Sequence, residues 1–274
     1  MKRSNLMTFV ALAMALMAAS AHAAGEVALG RFDCGKTNEL SDFSRFSDTA
    51  DFNGLTIPLT FSCYLVRHGD DYLIWDTGNP MPSASAPSPN APKSSLVDQL
   101  AQLHVKPEQI NYVAISHYHG DHAGQVSSFP QATLLIGKGD WDILTDPKAN
   151  SMANPANFAH WISGGGKVEP VVGDKDVFGD GSVVMLNTPG HTPGHHSLLV
   201  KLKDTGNVLI TGDLAHFREN YDTDGVPTFN TSRADTLASL DRFKKLAAHL
   251  KATVIIQHDG RDINKLPAFP ALAH

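Results

Sequence analysis

The sequence contains no run of basic residues beyond its first few positions. Its formal net charge is −6, which argues against nucleic acid or an anionic membrane surface as the main partner. It also lacks a second long apolar run after the N-terminal one, so we expect the mature form to be soluble and to have no membrane span. With 42% hydrophobic and 18% charged residues, the composition is that of a globular protein rather than a disordered one.

Four other features are missing. There is no internal repeat and no linker that would divide the mature chain, so residues 24–274 are predicted to form one domain. There is no Ser/His/Asp arrangement of the kind used for nucleophilic hydrolysis, and no glycine-rich loop that would cradle a phosphate. The sequence therefore supports neither a catalytic triad nor a phosphate-binding loop.

Cysteine is scarce, since only Cys34 and Cys63 are present. In an oxidising compartment the two could form a disulfide. Cys63, however, lies in the apolar run FSCYLV, where a free thiol behaves as a small hydrophobic side chain. We therefore favour the interpretation of both cysteines as buried, unpaired structural side chains, and a disulfide between them is the alternative left open.

The N-terminal 23 residues have the layout of a signal peptide. Lys2 and Arg3 supply the positive charge, residues 6–19 form an apolar core, and Ala21-His22-Ala23 offers small residues for cleavage after Ala23. The apolar core is shorter than the roughly 20 residues that a membrane-spanning helix needs, although an uncleaved anchor helix is the alternative. We predict that the protein is periplasmic or secreted.

Short apolar stretches that end in polar loops predict strands over most of the chain. The predicted strands are 59–67, 72–75, 112–116, 133–136, 168–172, 183–186, 197–202, 208–211 and 253–257. Leucines at helical spacing predict helices over 94–103 and 232–250, with a short one over 141–144. Residues 79–93 and 145–166 are rich in Pro, Ser, Asn or Gly and predict loops. Strands alternating with helices predict an α/β (α+β) sandwich.

The sharpest feature is a histidine-rich segment directly after the predicted strand 112–116. His117, His119 and His122 stand beside Asp121, so three imidazoles and one carboxylate fall within six residues. Imidazole and carboxylate suit zinc or a similar first-row ion. A turn here can direct two histidines at one ion and Asp121 with His122 at a second, and the spacing argues against a chance cluster of solvated histidines.

Three further ligand-type residues follow predicted strands elsewhere. His191 lies in TPGHTPGH, whose two Pro-Gly steps form a tight loop, Asp213 ends ITGD, and His258 ends IIQH. Each is weak evidence alone, but together with the histidine-rich segment they place metal-type residues at four strand ends. They predict two ions, one held by His117, His119 and His191, the other by Asp121, His122 and His258, with Asp213 as the bridge. Two ions about 3.5–4 Å apart activate water and polarise a carbonyl or phosphoryl oxygen, so these residues predict hydrolysis.

In this order, and spread over most of the mature chain, the motifs resemble the metallo-β-lactamase superfamily, which implies an αββα sandwich with the metals at one edge. Within it the sequence is most similar to the N-acyl-homoserine lactonases. The similar segments are Cys63-Tyr64-Leu65, Trp75-Asp76-Thr77-Gly78, SHYHGDHAG at 116–124, TPGHTPGHHSL at 188–198, Arg218-Glu219-Asn220 and His258-Asp259. The resemblance implies two Zn²⁺ ions, although iron, manganese or cobalt also suit such ligands.

The resemblance also implies a small-molecule substrate and a mechanism. A hydroxide between the metals would attack the carbonyl of an N-acyl-homoserine lactone and open its ring, which quenches quorum signals. Asp121, besides being a ligand, would carry the proton to the departing alkoxide. The acyl tail would lie along an apolar groove edged by the loops 79–93 and 145–166.

One residue departs from the lactonase pattern. Those enzymes carry a tyrosine three residues after the bridging aspartate, where it contacts the substrate carbonyl, and here His216 occupies that position. A neutral imidazole N–H can donate a similar hydrogen bond, so we predict a catalytic role for His216. Its reach and pKa differ from those of tyrosine, which leaves the substrate pose open.

Three alternative functions remain. An exported organophosphate or aryl-ester hydrolase would use the same metals, and a larger aromatic pocket around residues 145–166 would favour it. A β-lactamase is the second alternative. The bridging Asp213 counts against it, because the resemblance implies that true β-lactamases lack that carboxylate. A metal-binding module without catalysis would not need the complete ligand set that is present. Oligomeric state does not follow from the sequence, and a homodimer is left open.

Residues beside the ligands have simpler interpretations. We expect His195 and His196 to support their loop, and Asp76 to anchor a turn or orient a ligand histidine rather than to bind metal. Trp141 and Trp161 either line a pocket or pack in the core.

Overall fold

A computed structural model describes residues 26–37, 39–83, 87–149 and 152–274. The predicted signal peptide, residues 1–23, lies outside these residues. The strands of the described part are β1 (Val27–Lys36), β2 (Ser41–Asp42), β3 (Thr56–Ile57), β4 (Thr60–His68), β5 (Asp71–Trp75), β6 (Tyr112–Ile115), β7 (Thr133–Gly137), β8 (Val168–Val171), β9 (Lys175–Asp176), β10 (Val183–Asn187), β11 (His196–Leu202), β12 (Gly206–Ile210) and β13 (Thr253–Ile255).

The helices of the same part are α1 (Leu96–Gln102), α2 (Gly120–Ala123), α3 (Lys138–Thr145), α4 (Ala159–Ile162), α5 (Arg218–Asp222) and α6 (Arg233–Leu250). The longest, α6, begins after Ser232, whose hydroxyl accepts a hydrogen bond from the backbone N–H of Asp235. Among the described residues, none of the helices combines the length and the apolar character needed to cross a membrane.

The strands form two large sheets and one small one. The first sheet has the order β1-β4-β5-β6-β7-β8, and the second has the order β13-β12-β11-β10-β9. β2 and β3 pair with each other outside both sheets. From β5 to β8 the neighbours run parallel, as do β12 and β13, whereas the other pairs are antiparallel.

The core has three layers because successive side chains of a strand point to opposite faces of its sheet. In β4, Tyr64 and Val66 pack between the two sheets, whereas Leu65 packs on the other face, against α1 and α4. On the far side of the second sheet, Leu240 and Phe243 of α6 cover its outer face. The result is helices on both outer faces of two sheets, the predicted αββα sandwich.

The predicted strands and the three predicted helices are all present, with bounds shifted by a few residues at most. The region 145–166, predicted as irregular, also contains the short helix α4. β1 is a ten-residue strand that the sequence pattern did not predict. It pairs antiparallel with β4 and forms one edge of the first sheet.

The interpretation of the two cysteines was wrong, because Cys34 and Cys63 form a disulfide. In the β1–β4 ladder Phe32 lies opposite Cys63, and Cys34, two residues further along β1, lies within a Cα–Cα distance of 5.9 Å of Cys63. The pairing depends on the register of β1, and without that strand the sequence offers no reason to place the two thiols together. Both cysteines are buried, as expected.

Candidate metal centre

The loops that follow five strands meet at one edge of the sandwich. β5 and β6 run parallel, so Asp76 and His117, which follow them, emerge at the same end. In the second sheet β10, β12 and β13 point the same way, because β10 and β12 both pair antiparallel with β11. The loops after these three strands carry His191, Asp213 and His258. The structure therefore brings together all seven residues predicted as metal ligands.

Three histidines form a first cluster. Nε2 of His117 lies 2.8 Å from Nδ1 of His119, and Nε2 of His191 lies 3.0 Å from the same Nδ1. The backbone of His119 is fixed at the start of α2, because its carbonyl accepts hydrogen bonds from His122 N and Ala123 N, both at 3.0 Å. The facing nitrogens and a carboxylate oxygen of Asp213 all lie within 4.8 Å of one another, which is close enough for one ion.

A second cluster lies beside the first. Nε2 of His122 is 3.1 Å from Nε2 of His258, and Oδ2 of Asp121 is 3.7 Å from the former and 3.8 Å from the latter. The two histidines are buried, whereas the Asp121 side chain is 31% exposed. Asp121 therefore combines a position among the ligands with access to solvent, as a proton carrier requires.

Asp213 connects the two clusters with its two carboxylate oxygens. Oδ1 lies 2.8 Å from Nε2 of His258 and 3.1 Å from Nε2 of His122. Oδ2 lies 3.2 Å from Nε2 of His191 and 3.5 Å from Nε2 of His117. One oxygen thus faces each cluster, which is the geometry of a bridging carboxylate.

The protonation of these groups fits metal ligands. Burial lowers the pKa of His117 well below its ordinary value and that of His119 to about 3, so both rings are neutral at pH 7. Neutral ring nitrogens at these distances direct their lone pairs at one another, and a bound cation can accept those lone pairs. In the second cluster, burial alone would lower the pKa of His122, but Asp213 and Asp76 outweigh it and raise that pKa, a sign of excess negative charge. The residues therefore fit a dinuclear first-row metal centre.

Each ligand histidine but one has a partner for its other ring nitrogen. Nδ1 of His122 lies 2.8 Å from Oδ2 of Asp76, so Asp76 contacts a candidate ligand histidine, as one of its two predicted roles requires. Nδ1 of His191 lies 2.8 Å from Asn230 Oδ1, and Nδ1 of His258 lies 2.9 Å from the carbonyl oxygen of Thr60. Nδ1 of His117 lies 3.0 Å from Ser116 Oγ. Such partners fix the tautomer and the orientation of a ligating imidazole. The exception is Nε2 of His119, which is buried without one.

Asp76 is itself held by several donors. It accepts hydrogen bonds from Ser116 N at 2.7 Å, from Ser116 Oγ at 2.9 Å and from Gln257 Nε2 at 2.7 Å. Its side chain is fully buried. Ser116 precedes His117 and Gln257 precedes His258, so a single carboxylate aligns the loops of both sheets at the metal centre.

His195 links the backbone of Asp213 to the loop that carries His191. Burial lowers the pKa of His195 well below its ordinary value, so the ring is neutral. Nε2 accepts from the backbone N–H of Asp213 at 2.9 Å, and Nδ1 donates to the Thr188 carbonyl at 2.9 Å. Gly212 makes this possible, because its φ is +56° and a Cβ there would lie 2.7 Å from His195 Nε2. His196 supports the same loop through Gly194 O at 2.8 Å, as predicted for both histidines.

Asp140 is a buried carboxylate near the site that the sequence analysis missed. It lies in α3 and accepts hydrogen bonds from Gly194 N at 2.7 Å, Thr192 Oγ1 at 2.9 Å and Tyr118 N at 3.2 Å. These donors belong to the loop of His191 and to the segment between His117 and His119. Asp140 therefore ties two ligand loops together, and its signal in the sequence is only an acidic residue in an otherwise ordinary helix.

His216 reaches the metal centre, where it contacts the bridging carboxylate. Its Nε2 lies 3.1 Å from Oδ2 of Asp213, and its ring stacks on that of His258 with centroids 5.7 Å apart. Nδ1 is buried without a hydrogen-bond partner. The polar contact of His216 is therefore with the bridging carboxylate, and its predicted contact with a substrate carbonyl stays a prediction.

A cavity of about 420 Å³ opens onto the centre. His119, Asp121, Asp213, His216 and His258 form its inner end. Its outer wall comes from Ser41, Asp42, Arg45, Phe46, Leu59, Met152 and Phe229. Of these, only Met152 belongs to a segment that the sequence analysis predicted to edge the groove. The segment 41–59 is held in place by a cluster in which Phe43, Phe46 and Phe52 pack against Phe217 of the second half of the chain.

The predicted edges of the cavity are only partly present. Met152 is the contribution of the region 145–166, whereas the described residues of 79–93 contribute none of the lining. Trp161 is buried in the core beneath the first sheet, and Trp141 packs against the same core. Core packing is thus the correct interpretation of both tryptophans.

A model of the metallo-beta-lactamase superfamily matches residues 58–258, which is well over half of the chain. The matched range includes every residue at the inner end of the cavity. The chain belongs to this superfamily. Members of the superfamily differ in substrate, so the assignment establishes the family and the fold but not the reaction partner.

Curated relatives within the superfamily are 25–29% identical to this chain over the aligned residues. The N-acyl homoserine lactonase AttM of Rhizobium radiobacter is 29% identical over 250 residues, which covers 80% of this chain and 90% of the relative. An N-acyl homoserine lactonase of Bacillus cereus is 28% identical over 233 residues, covering 80% and 88%.

Solved structures agree on the fold. A quorum-quenching N-acyl homoserine lactone lactonase superposes with a TM-score of 0.74 at 24% identity, covering 90% of this chain and 98% of the other. The dizinc quorum-quenching lactonase AidC superposes with a TM-score of 0.65 at 19% identity, covering 91% and 90%.

Proposed function

We propose that this protein is a dinuclear metal-dependent lactonase that opens the ring of N-acyl-homoserine lactones. The observation that carries the proposal is the position of Asp213, whose two oxygens face two complete ligand clusters at the end of an open cavity. The curated relatives that cover most of the chain are lactonases for this substrate class. We infer zinc as the ion, since imidazole and carboxylate are its ordinary ligands and AidC is described as a dizinc enzyme.

The chain's own residues have distinct tasks in this reaction. His117, His119 and His191 hold one ion, His122 and His258 with Asp121 hold the other, and Asp213 spans both. When bound, the two ions polarise the lactone carbonyl and lower the pKa of water. The remaining tasks, which are moving a proton and accommodating the tail, belong to the protein.

Asp121 is placed to move the proton. Ring opening releases an alkoxide that must be protonated before it departs. The Asp121 carboxylate lines the cavity and is partly exposed, so it can reach both the ligand cluster and a substrate. The apolar side chains of Phe46, Leu59 and Phe229 line the path by which the acyl tail leaves the centre.

We also propose that the protein works outside the cytoplasm, in the periplasm or after secretion. The signal-peptide pattern of residues 1–23 supports this, and so does the Cys34–Cys63 disulfide, because disulfides persist mainly in oxidising compartments. Expressing the full-length chain in a bacterium and fractionating the cells tests the proposal. The mature form, with Ala24 as its N-terminal residue, should appear in the periplasm or the medium, and retention in the cytoplasm with Met1 intact would contradict it.

The proposed reaction is tested by mass spectrometry of ring opening. The mature, zinc-loaded protein is offered N-hexanoyl- and N-decanoyl-homoserine lactone beside an organophosphate triester and a cephalosporin. We expect acyl-homoserine products that disappear on chelation, with little turnover of the other two. Failure on both lactones with rapid turnover of the triester would replace the proposal with the organophosphate hydrolase alternative. The large aromatic pocket around residues 145–166 that would have favoured this alternative is absent from the described residues, since Trp161 is in the core.

A further inference from the structure

Arg45 differs from every other described arginine in its surroundings. Six arginines have an ionic or hydroxyl partner, namely Arg31, Arg67, Arg218, Arg233, Arg242 and Arg261. The guanidinium of Arg45 has neither an ion pair nor a hydrogen bond to any described residue, yet it lines the cavity of the metal centre. Its five N–H donors are therefore available to a ligand in that cavity.

The position of Arg45 is fixed despite its exposure. Its backbone carbonyl accepts hydrogen bonds from Thr228 N at 2.9 Å and from Thr228 Oγ1 at 3.1 Å. Its guanidinium carbon lies 4.5 Å from the centre of the Phe229 ring. Stacking of this kind uses the flat face of the guanidinium and leaves the N–H groups on its edge free to donate.

An aromatic wall connects Arg45 to the metal centre. The Phe229 ring lies 5.8 Å from the rings of both His191 and His216, measured between centroids. Phe46, the neighbour of Arg45, lies 4.8 Å from the His216 ring. A substrate whose reacting carbonyl sits at the centre and whose tail follows this wall therefore passes the guanidinium.

The charge of the cavity rim favours a neutral partner for Arg45. Asp42 lines the same cavity, but its carboxylate accepts from Ser44 N at 2.9 Å and from Ser44 Oγ at 3.1 Å. It therefore offsets the positive charge of Arg45 without occupying its donors. A rim with one charge of each sign attracts a neutral hydrogen-bond acceptor more than it attracts a full anion.

We propose that Arg45 is a specificity residue that donates a hydrogen bond to an oxygen on the acyl tail, and that oxo-substituted acyl-homoserine lactones are preferred to unsubstituted ones. The inference rests on the proposed lactonase function and adds the class of tail. The unpaired guanidinium in the cavity wall is the observation that carries it. Because the contact is remote from the reacting carbonyl, the preference belongs mainly to KM rather than to kcat.

The kinetic test compares N-(3-oxohexanoyl)- with N-hexanoyl-homoserine lactone. For the unaltered enzyme we expect kcat/KM to be about threefold to tenfold higher for the oxo substrate, the range of one net hydrogen bond. Arg45→Met, which keeps an apolar stem but donates nothing, should bring that ratio close to one, and Arg45→Lys should restore part of it. Arg233→Met is the matched control, since Arg233 is paired with Asp48 on the surface, and it should keep the ratio.

A binding measurement separates this inference from the proposed function. Calorimetry of the two ring-opened products with the zinc-loaded protein reports the same tail contact without turnover. If neither lactone is opened, the lactonase proposal fails, while the ratio of product affinities still decides the role of Arg45. A preference that survives Arg45→Met, or a ratio of one in the unaltered protein by both measurements, would overturn the inference.

Discussion

Nε2 of His216 lies 3.1 Å from Oδ2 of Asp213, so the residue that replaces the lactonase tyrosine contacts the bridging carboxylate itself. Burial lowers the pKa of His216 to about 4, so the ring is neutral at pH 7 and carries a single N–H. The carboxylate places that hydrogen on Nε2, which leaves Nδ1 as the unpartnered lone pair. Asn220 Oδ1 accepts a hydrogen bond from the backbone N–H of His216 at 2.8 Å and thereby fixes the backbone that carries the ring.

His216 is therefore predicted to steady Asp213. His216→Phe keeps the aromatic packing on Phe46 but removes the donor, and loss of such an outer hydrogen bond to a ligand lowers activity or metal affinity by about 10- to 100-fold. His216→Gln retains an N–H and should recover part of the loss. Steady-state kcat and zinc affinity by chelator competition measure both. Wild-type values for His216→Phe would remove this role.

Asp76 is predicted to hold the second cluster together. Asp76→Ala leaves the donors of Ser116, Gln257 and His122 without their acceptor and should lower the free energy of unfolding by about 3 kcal/mol. Asp76→Asn retains one acceptor oxygen and should instead weaken binding of one zinc ion by about tenfold or more. Urea unfolding tests Asp76→Ala, and zinc titration tests Asp76→Asn. Asp204→Asn makes the same substitution at an exposed aspartate and serves as the control. Unchanged zinc affinity in Asp76→Asn would contradict the account.

Asp140 is predicted to make stability depend on pH. Burial raises the pKa of its carboxyl to about 7, although the three donors around it act in the opposite direction. The folded state thus holds this proton more tightly than the unfolded chain does, and stability falls as pH rises from about 4 to about 7. Asp140→Asn cannot ionise, so its urea midpoint relative to wild type should increase between pH 5 and pH 8. A difference that stays constant or decreases would show that Asp140 is ionised throughout.

The disulfide is predicted to stabilise the fold by restricting the unfolded chain. Cys34 and Cys63 are separated by 29 positions, for which loop entropy gives about 3–4 kcal/mol. The double variant Cys34→Ala with Cys63→Ala should lose that much in urea unfolding. Because both sulfurs are buried, mild reductant should leave the native protein unchanged. Equal stability of the double variant and the oxidised protein would contradict this.

The residues that gather at the candidate metal centre could be predicted from the sequence, because each is local to a recognisable turn. His117 to His122 directly follow an apolar strand, and His191, Asp213 and His258 each end another one. Parallel strands then bring these ends to one edge without further information. The wall of the cavity could not be predicted in this way. Phe46 and Phe229 meet only through the aromatic cluster around Phe217, and Arg45 is placed by its contact with the Phe229 ring.

Two further features depend on contacts distant in sequence. The disulfide requires the register of β1 against β4, and a strand at the edge of a sheet gives a weak pattern of its own. Asp140 is significant only because three donors from two other loops converge on it. The identity of a buried carboxylate's partners cannot be read from the residues beside it.

The central claim is that two ions, joined by Asp213, perform the reaction. The most direct test is to remove the metal from the mature protein and to follow the opening of N-hexanoyl-homoserine lactone while zinc is returned. We predict activity that increases until two equivalents of zinc per chain are bound, with Asp213→Ala binding less zinc and losing most turnover at every ratio. Full activity at one equivalent, or activity that resists chelation, would contradict the account.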